Sequence, residues 1–80
     1  GLFHMSFEKH QEVKGLIFVN GEERLLGESM QLDRLLTELG YDITRVAAEL
    51  NQEIVPRGSY GSVTVNDGDH LEVVRFVGGG

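Results

Sequence analysis

One stretch limits the fold more than any other. Leu32, Leu35, Leu36 and Leu39 fall at i, i+3, i+4 and i+7, with Gln31, Asp33, Arg34, Thr37 and Glu38 around them. This spacing predicts a helix with a single apolar stripe. Ser29 is placed to cap its start, since a serine hydroxyl can accept from an orphan amide one turn ahead. Gly40 supplies the left-handed residue that ends it. A stripe on one face must be buried against another layer. The flanking segments read as strands and can supply that layer.

Val13 to Val19 is apolar and β-branched, as strands are. Asn20-Gly21 follows, and both residues tolerate the positive φ of a type I′ hairpin turn. Glu22 to Leu26 is the return strand, and its acidic start points to an exposed edge. Residues 42–51 are ambiguous. Ile43, Val46, Ala47 and Leu50 repeat at helical spacing, whereas Val46, Ala48 and Leu50 would share one face of a strand over 45–50. Asn51-Gln52 can turn the chain into a short strand, Glu53 to Val55. Pro56 lacks an N–H, so that strand stops there or lies on an edge. Residues 57–62 read as an irregular crossing anchored by Tyr60. Val63 to Val65 is a brief extended piece. Asn66-Asp67-Gly68-Asp69 is a strong turn, and His70 to Val77 is the last strand. Gly78, Gly79 and Gly80 follow.

Size and composition exclude much. With 80 residues the chain is one small domain, too small to enclose a large catalytic cavity. It has no cysteine, hence no disulfide or thiolate chemistry. No apolar run approaches the roughly 20 residues of a membrane span. A net charge of −6 disfavours nucleic acid and suits a basic surface on another protein. Residues 1–12 lack any apolar pattern and read as a mobile arm, with Gly1 to Ser6 resembling an expression-vector remnant.

Catalytic constellations are missing. His4, His10 and His70 have no metal-ligand spacing. Asp67 and Asp69 lack the closing acid of a calcium loop and read as turn residues that bond their own backbone. Ser6, Ser29, Ser59 and Ser62 sit in no nucleophile elbow. Gly21 and Gly27 precede no phosphate-binding Lys-Ser/Thr pair. These absences argue against an autonomous enzyme and leave the glycine tail as the candidate chemistry. A bare Gly-Gly-Gly can be an inert stub or linker. Placed straight after an apolar strand, it can also be a thread slim enough for a narrow slot. Its carboxylate would react only after its oxygen became a good leaving group, for example by adenylation.

The order of elements carries a resemblance. Ile17-Phe18-Val19-Asn20-Gly21-Glu22, the Leu32/Leu35/Leu36/Leu39 helix, residues 50–57 (LNQEIVPR), Asp67-Gly68-Asp69 and residues 71–80 (LEVVRFVGGG) together resemble the ubiquitin-like β-grasp sulfur carriers, most closely those of thiamine biosynthesis. The likeness covers about Val13 to Gly80. It departs in the long N-terminal arm and in Tyr60, where the family often has tryptophan.

The resemblance implies a cycle and its partners. A ubiquitin-activating-type adenylating enzyme would spend ATP on the Gly80 carboxylate. A sulfur donor, a cysteine desulfurase or related protein, would convert it to a thiocarboxylate. Thiazole synthase would take the sulfur. Gly78 and Gly79 would be the thread. The carrier would bind no cofactor or metal, would act in the cytoplasm, and would contact neither nucleic acid nor membrane. The resemblance also favours a strand over residues 45–50. Two other readings remain: the small subunit of molybdopterin synthase or another thiocarboxylate carrier, and a non-catalytic ubiquitin-like interaction module.

The expected fold is a single α+β domain over residues 13–77. A mixed sheet of four or five strands wraps one helix, and the first and last strands run parallel. The expected core is Ile17, Val19, Leu32, Leu35, Leu36, Leu39, Val46, Ala48, Leu50, Val55, Leu71 and Val73. Alternation then sends Leu16, Phe18, Val74 and Phe76 to the other face, as a partner-docking surface.

Overall fold

The computed structural model describes residues 15–76. Seven strands and one helix follow in order: β1 Gly15–Val19, β2 Glu22–Leu26, β3 Met30–Gln31, α1 Leu32–Glu38, β4 Val46–Leu50, β5 Glu53–Val55, β6 Thr64–Val65 and β7 His70–Arg75. Short 3-10 turns occupy Ile43–Arg45 and Arg57–Ser59. The main sheet has the order β2-β1-β7-β4-β5, and β3 and β6 form a second, two-stranded sheet. β1 and β7 are parallel, as expected from the helix crossover between them. The other pairings are antiparallel. This is a β-grasp: one helix against a mixed five-stranded sheet.

The core lies between α1 and the inner sheet face. Leu32, Leu35 and Leu36 are buried against Ile17, Val19, Val46, Ala48, Leu71 and Val73. Fully burying each leucine is worth roughly 1.5–3 kcal/mol. Leu39 and Leu50 are only half-buried at the margin, contrary to their expected core positions. Leu26, Tyr60 and Val65 are buried instead. Tyr60 anchors its crossing as expected. Its hydroxyl donates to the Val46 carbonyl at 3.4 Å, so the buried phenol is satisfied.

The helix ends as predicted but begins differently. Gly40 has φ +93°, its N–H reaches the Thr37 carbonyl, and the Tyr41 N–H reaches Leu36. That is a Schellman closure. Ser29 is not the cap. Gln31 occupies that position without a side-chain bond, and the Ser29 hydroxyl donates to Asn66 at 2.7 Å. Met30 and Gln31 are held by β6 instead, so the helix cannot start before Leu32.

Tertiary pairing decides the ambiguous segment. Val46 to Leu50 pairs along β7 on one side and, from Ala48 on, along β5 on the other. A helix there would leave the β7 edge unpaired. The strand starts one residue later than the expected 45–50, because Arg45 closes the 3-10 turn. β5 ends before Pro56 on the sheet edge. At the opposite edge, β2 exposes Glu22, Glu23 and Arg24, charges that discourage edge-to-edge pairing.

Both hairpin turns use left-handed residues. Asn20 and Gly21 have φ +52° and +85°, and Asn51 and Gln52 have +51° and +72°. Gln52 carries a Cβ where glycine is at ease, at a cost of about 1 kcal/mol. Gln52→Gly is therefore expected to raise the thermal midpoint by roughly 4–8 °C. An unchanged or lower midpoint in a melting experiment would show that the turn is unstrained.

Candidate functional site: the outer sheet face and the exit of β7

Gly78, Gly79 and Gly80, the expected reactive tail, lie outside the described residues, as does the arm over residues 1–12. What the structure defines is the strand that leads to the tail. β7 is the middle strand of the main sheet, paired with β1 and β4.

Two asparagines fasten β7 from either flank. On the β1 side, the Phe18 N–H donates to the Asp69 carbonyl at 3.0 Å and the Asn20 N–H to Leu71 at 2.8 Å. The chain then turns away at Gly21. The Asn20 carboxamide replaces the next rung of the ladder. Its Oδ1 accepts from the Val73 N–H at 2.7 Å and its Nδ2 donates to the Val73 carbonyl at 3.3 Å. On the β4 side, the Asn51 N–H donates to the His70 carbonyl at 2.7 Å, and Asn51 Oδ1 accepts from the His70 N–H at 3.0 Å.

Of the two aspartates in the turn before β7, Asp69 bonds the turn's own backbone as expected, whereas Asp67 reaches across to β1. Asp67 Oδ1 accepts from the Leu16 N–H at 2.8 Å, and Asp69 Oδ2 from the Asn66 N–H at 2.8 Å. His70 stacks on Phe18 with ring centroids 4.5 Å apart. Among the described residues, no group of three His, Cys, Asp or Glu side chains could hold a metal ion.

On the outer face the four expected docking residues fall into two groups. Leu16 and Phe18 are half-buried on β1. Val74 and Phe76 are exposed, at 61% and 55%. Phe18 pairs with His70 in the parallel register, so Val74 lies four residues further along, about 13 Å. Glu72 of β7 and Glu49 of β4, directly opposite each other, separate the groups. The structure adds two exposed residues that the sequence reading omitted. Ile54, paired with Glu49, and Leu25, paired with Leu16, are 77% and 73% exposed. Ala47, Ile54, Glu72 and Val74 border a shallow depression of about 450 Å³.

Arginines surround the end of β7. The Phe76 N–H donates to the Arg45 carbonyl at 2.9 Å. Arg75 pairs with Val46, and its guanidinium carbon lies 4.9 Å from the Tyr41 ring centroid. Arg57 donates from Nη2 to the Val46 carbonyl at 3.1 Å and lies 6.0 Å from the Phe76 ring centroid. Arg45 is paired with Asp42 at 3.5 Å. The Thr44 hydroxyl and then the Thr44 amide, both bonded to Asp42 Oδ1, hold that carboxyl below its ordinary range, and Arg45 adds to the effect. The capped turn is thus at full strength at neutral pH and weakens only as pH falls through the lowered pKa.

Comparison with known proteins places this geometry. The ThiS family model matches residues 7–80. A crystal structure of the thiamine biosynthesis protein ThiS from Geobacter metallireducens superposes with a TM-score of 0.71 at 35% identity, covering 81% of this chain and 99% of that one. A thiazole synthase of Paramagnetospirillum magneticum is 56% identical over 64 residues, and one of Magnetococcus marinus 42%. Each match covers 80% of this chain but only 20% of the relative, so the chain spans about a fifth of these curated relatives. With the family's pattern matched through the β-grasp and across the segment that follows β7, the chain belongs to the ThiS family.

Proposed function

We propose that the chain is a sulfur carrier of thiamine biosynthesis, a protein substrate for partner enzymes and not itself a catalyst. The observation that carries this reading is the position of β7. The firmly held middle strand of the sheet runs directly into Val77-Gly78-Gly79-Gly80, within the segment that the family model matches. The carboxylate of Gly80 attacks the α-phosphorus of ATP on an adenylating enzyme, and pyrophosphate leaves. Hydrosulfide then adds to the acyl carbon, AMP leaves and the S–H proton is lost, giving a thiocarboxylate. Thiazole synthase consumes that sulfur. Activation comes from ATP and the partner, because a free carboxylate is ionised and unreactive at neutral pH. Leu16, Phe18, Val74 and Phe76 form the docking face, with Val74 and Phe76 nearest the tail.

The test is intact mass after incubation with ATP, the adenylating enzyme and sulfide. The expected product carries sulfur in place of one oxygen, localised to Gly80 by fragmentation. A chain left unchanged under conditions that charge a known ThiS would refute the proposal.

The two thiazole synthases favour a second reading, in which the domain is one part of a longer synthase and serves that polypeptide's own active site. The mass of the native gene product separates the two.

A further inference from the structure

From the arginines at the end of β7 we infer that Arg57 and Arg75, supported by Arg45, form a cationic collar at Arg75 and Phe76, where the described strand ends. It docks on an acidic rim at the mouth of the enzyme that adenylates the chain. The inference rests on the carrier reading and adds an electrostatic contact to it. Three separate segments carry these residues to the end of β7: the 3-10 turn before β4, the 3-10 turn after β5, and the last residue of β7. All three attach to the short backbone stretch formed by Arg45, Val46, Arg75 and Phe76.

Their charges are not equivalent. Arg45 is paired with Asp42. Among the described residues, Arg57 and Arg75 pair with no carboxylate, and each lies against an aromatic ring instead. A ring face holds a guanidinium in place without cancelling its charge. The collar is thus fixed, exposed and positive on a chain of net charge −6. Such a local reversal of sign attracts an acidic surface, orients the approach and raises the association rate. A nucleotide phosphate fits less well. Val77 to Gly80 can reach at most about 13 Å, enough to carry the Gly80 carboxyl clear of the arginines. Nucleic acid is disfavoured by the overall charge.

The experiment compares the full chain with Arg57→Gln, Arg75→Gln and the double variant. Association with the adenylating enzyme is followed across a range of salt concentrations. Arg34→Gln, at an exposed pair on the helix, is the control for a distant charge. The double variant is expected to associate about tenfold more slowly at low salt, with a flatter salt dependence. Arg57→Lys should restore most of the rate, whereas Arg34→Gln should change little. Val74→Ser, on the outer face and against neither arginine, should weaken binding without altering the salt dependence. Wild-type rate and salt dependence in the double variant would overturn the collar, while normal sulfur charging of the same sample would leave the carrier reading intact. A raised KM for ATP with unchanged association would also overturn it and would assign the arginines to the nucleotide. Failure of the wild type to bind or be charged would remove both.

Discussion

Removal of Gly80 is expected to abolish ATP-dependent charging while leaving the fold unchanged. The shortened chain would still end in a glycine carboxylate, chemically equivalent to the original. It would arrive one residue short, about 3.3 Å. Misplacement by about 1 Å can cost roughly 100-fold in an oriented reaction, so a loss of at least that size is expected. Gly79→Val tests slenderness at constant length, because it adds a β-branched side chain to the thread. Both changes lie beyond every core residue, so melting curves should match the wild type. Pyrophosphate release with the adenylating enzyme provides the measure. If the shortened chain is charged at the wild-type rate, the carrier chemistry does not run through Gly80, and an inert-tail module becomes the better reading.

The largest effect on stability is expected at Asn20. Its carboxamide supplies both halves of a backbone rung to Val73. Asn20→Ala removes both bonds, leaves the part-buried Val73 amide unpaired, and places an alanine at φ +52°. The combined cost is about 3 kcal/mol, a fall in thermal midpoint of roughly 12–24 °C. Asn20→Gly separates the contributions. It keeps the left-handed turn without strain and loses only the carboxamide, so about 2 kcal/mol of the loss should remain. A glycine variant as stable as the wild type would show that the side-chain rung contributes nothing.

Asn20 also marks where the sequence stops being informative. Asn20-Gly21 is legible as a type I′ turn because the requirement for positive φ is local. Its second role depends on Val73, 53 residues away, and no spacing rule reaches that far. The helix stripe and Gly40 are legible for the same local reason. Ser29 misleads because the capping rule ignores the β3–β6 pairing, which claims Met30 and Gln31 first. Residues 45–50 could not be assigned by periodicity, since their strand character comes from having partners on both sides. At the site, alternation places Val74 on the outer face. It cannot show that Glu49 and Glu72 divide that face, because the register of β4 against β7 decides it. Arg57 is legible only as the last residue of the 50–57 motif, which assigns it no role. Only the pairing of β5 with β4 brings it beside Val46 and Phe76.

The attachment of β7 has a mechanical consequence. A tail drawn into a partner's slot transmits tension along the strand axis. β7 lies between two neighbours, with hydrogen bonds running across the pull, so the bonds on both flanks are loaded together in shear and do not unzip singly. The carboxamides of Asn20 and Asn51 add resistance at Val73 and His70, well inside the strand. Through Val73 the strand is held on both flanks, so the sheet resists giving up chain under tension. The described domain is therefore a stiff handle: a pull applied beyond Phe76 is borne by the sheet as a whole.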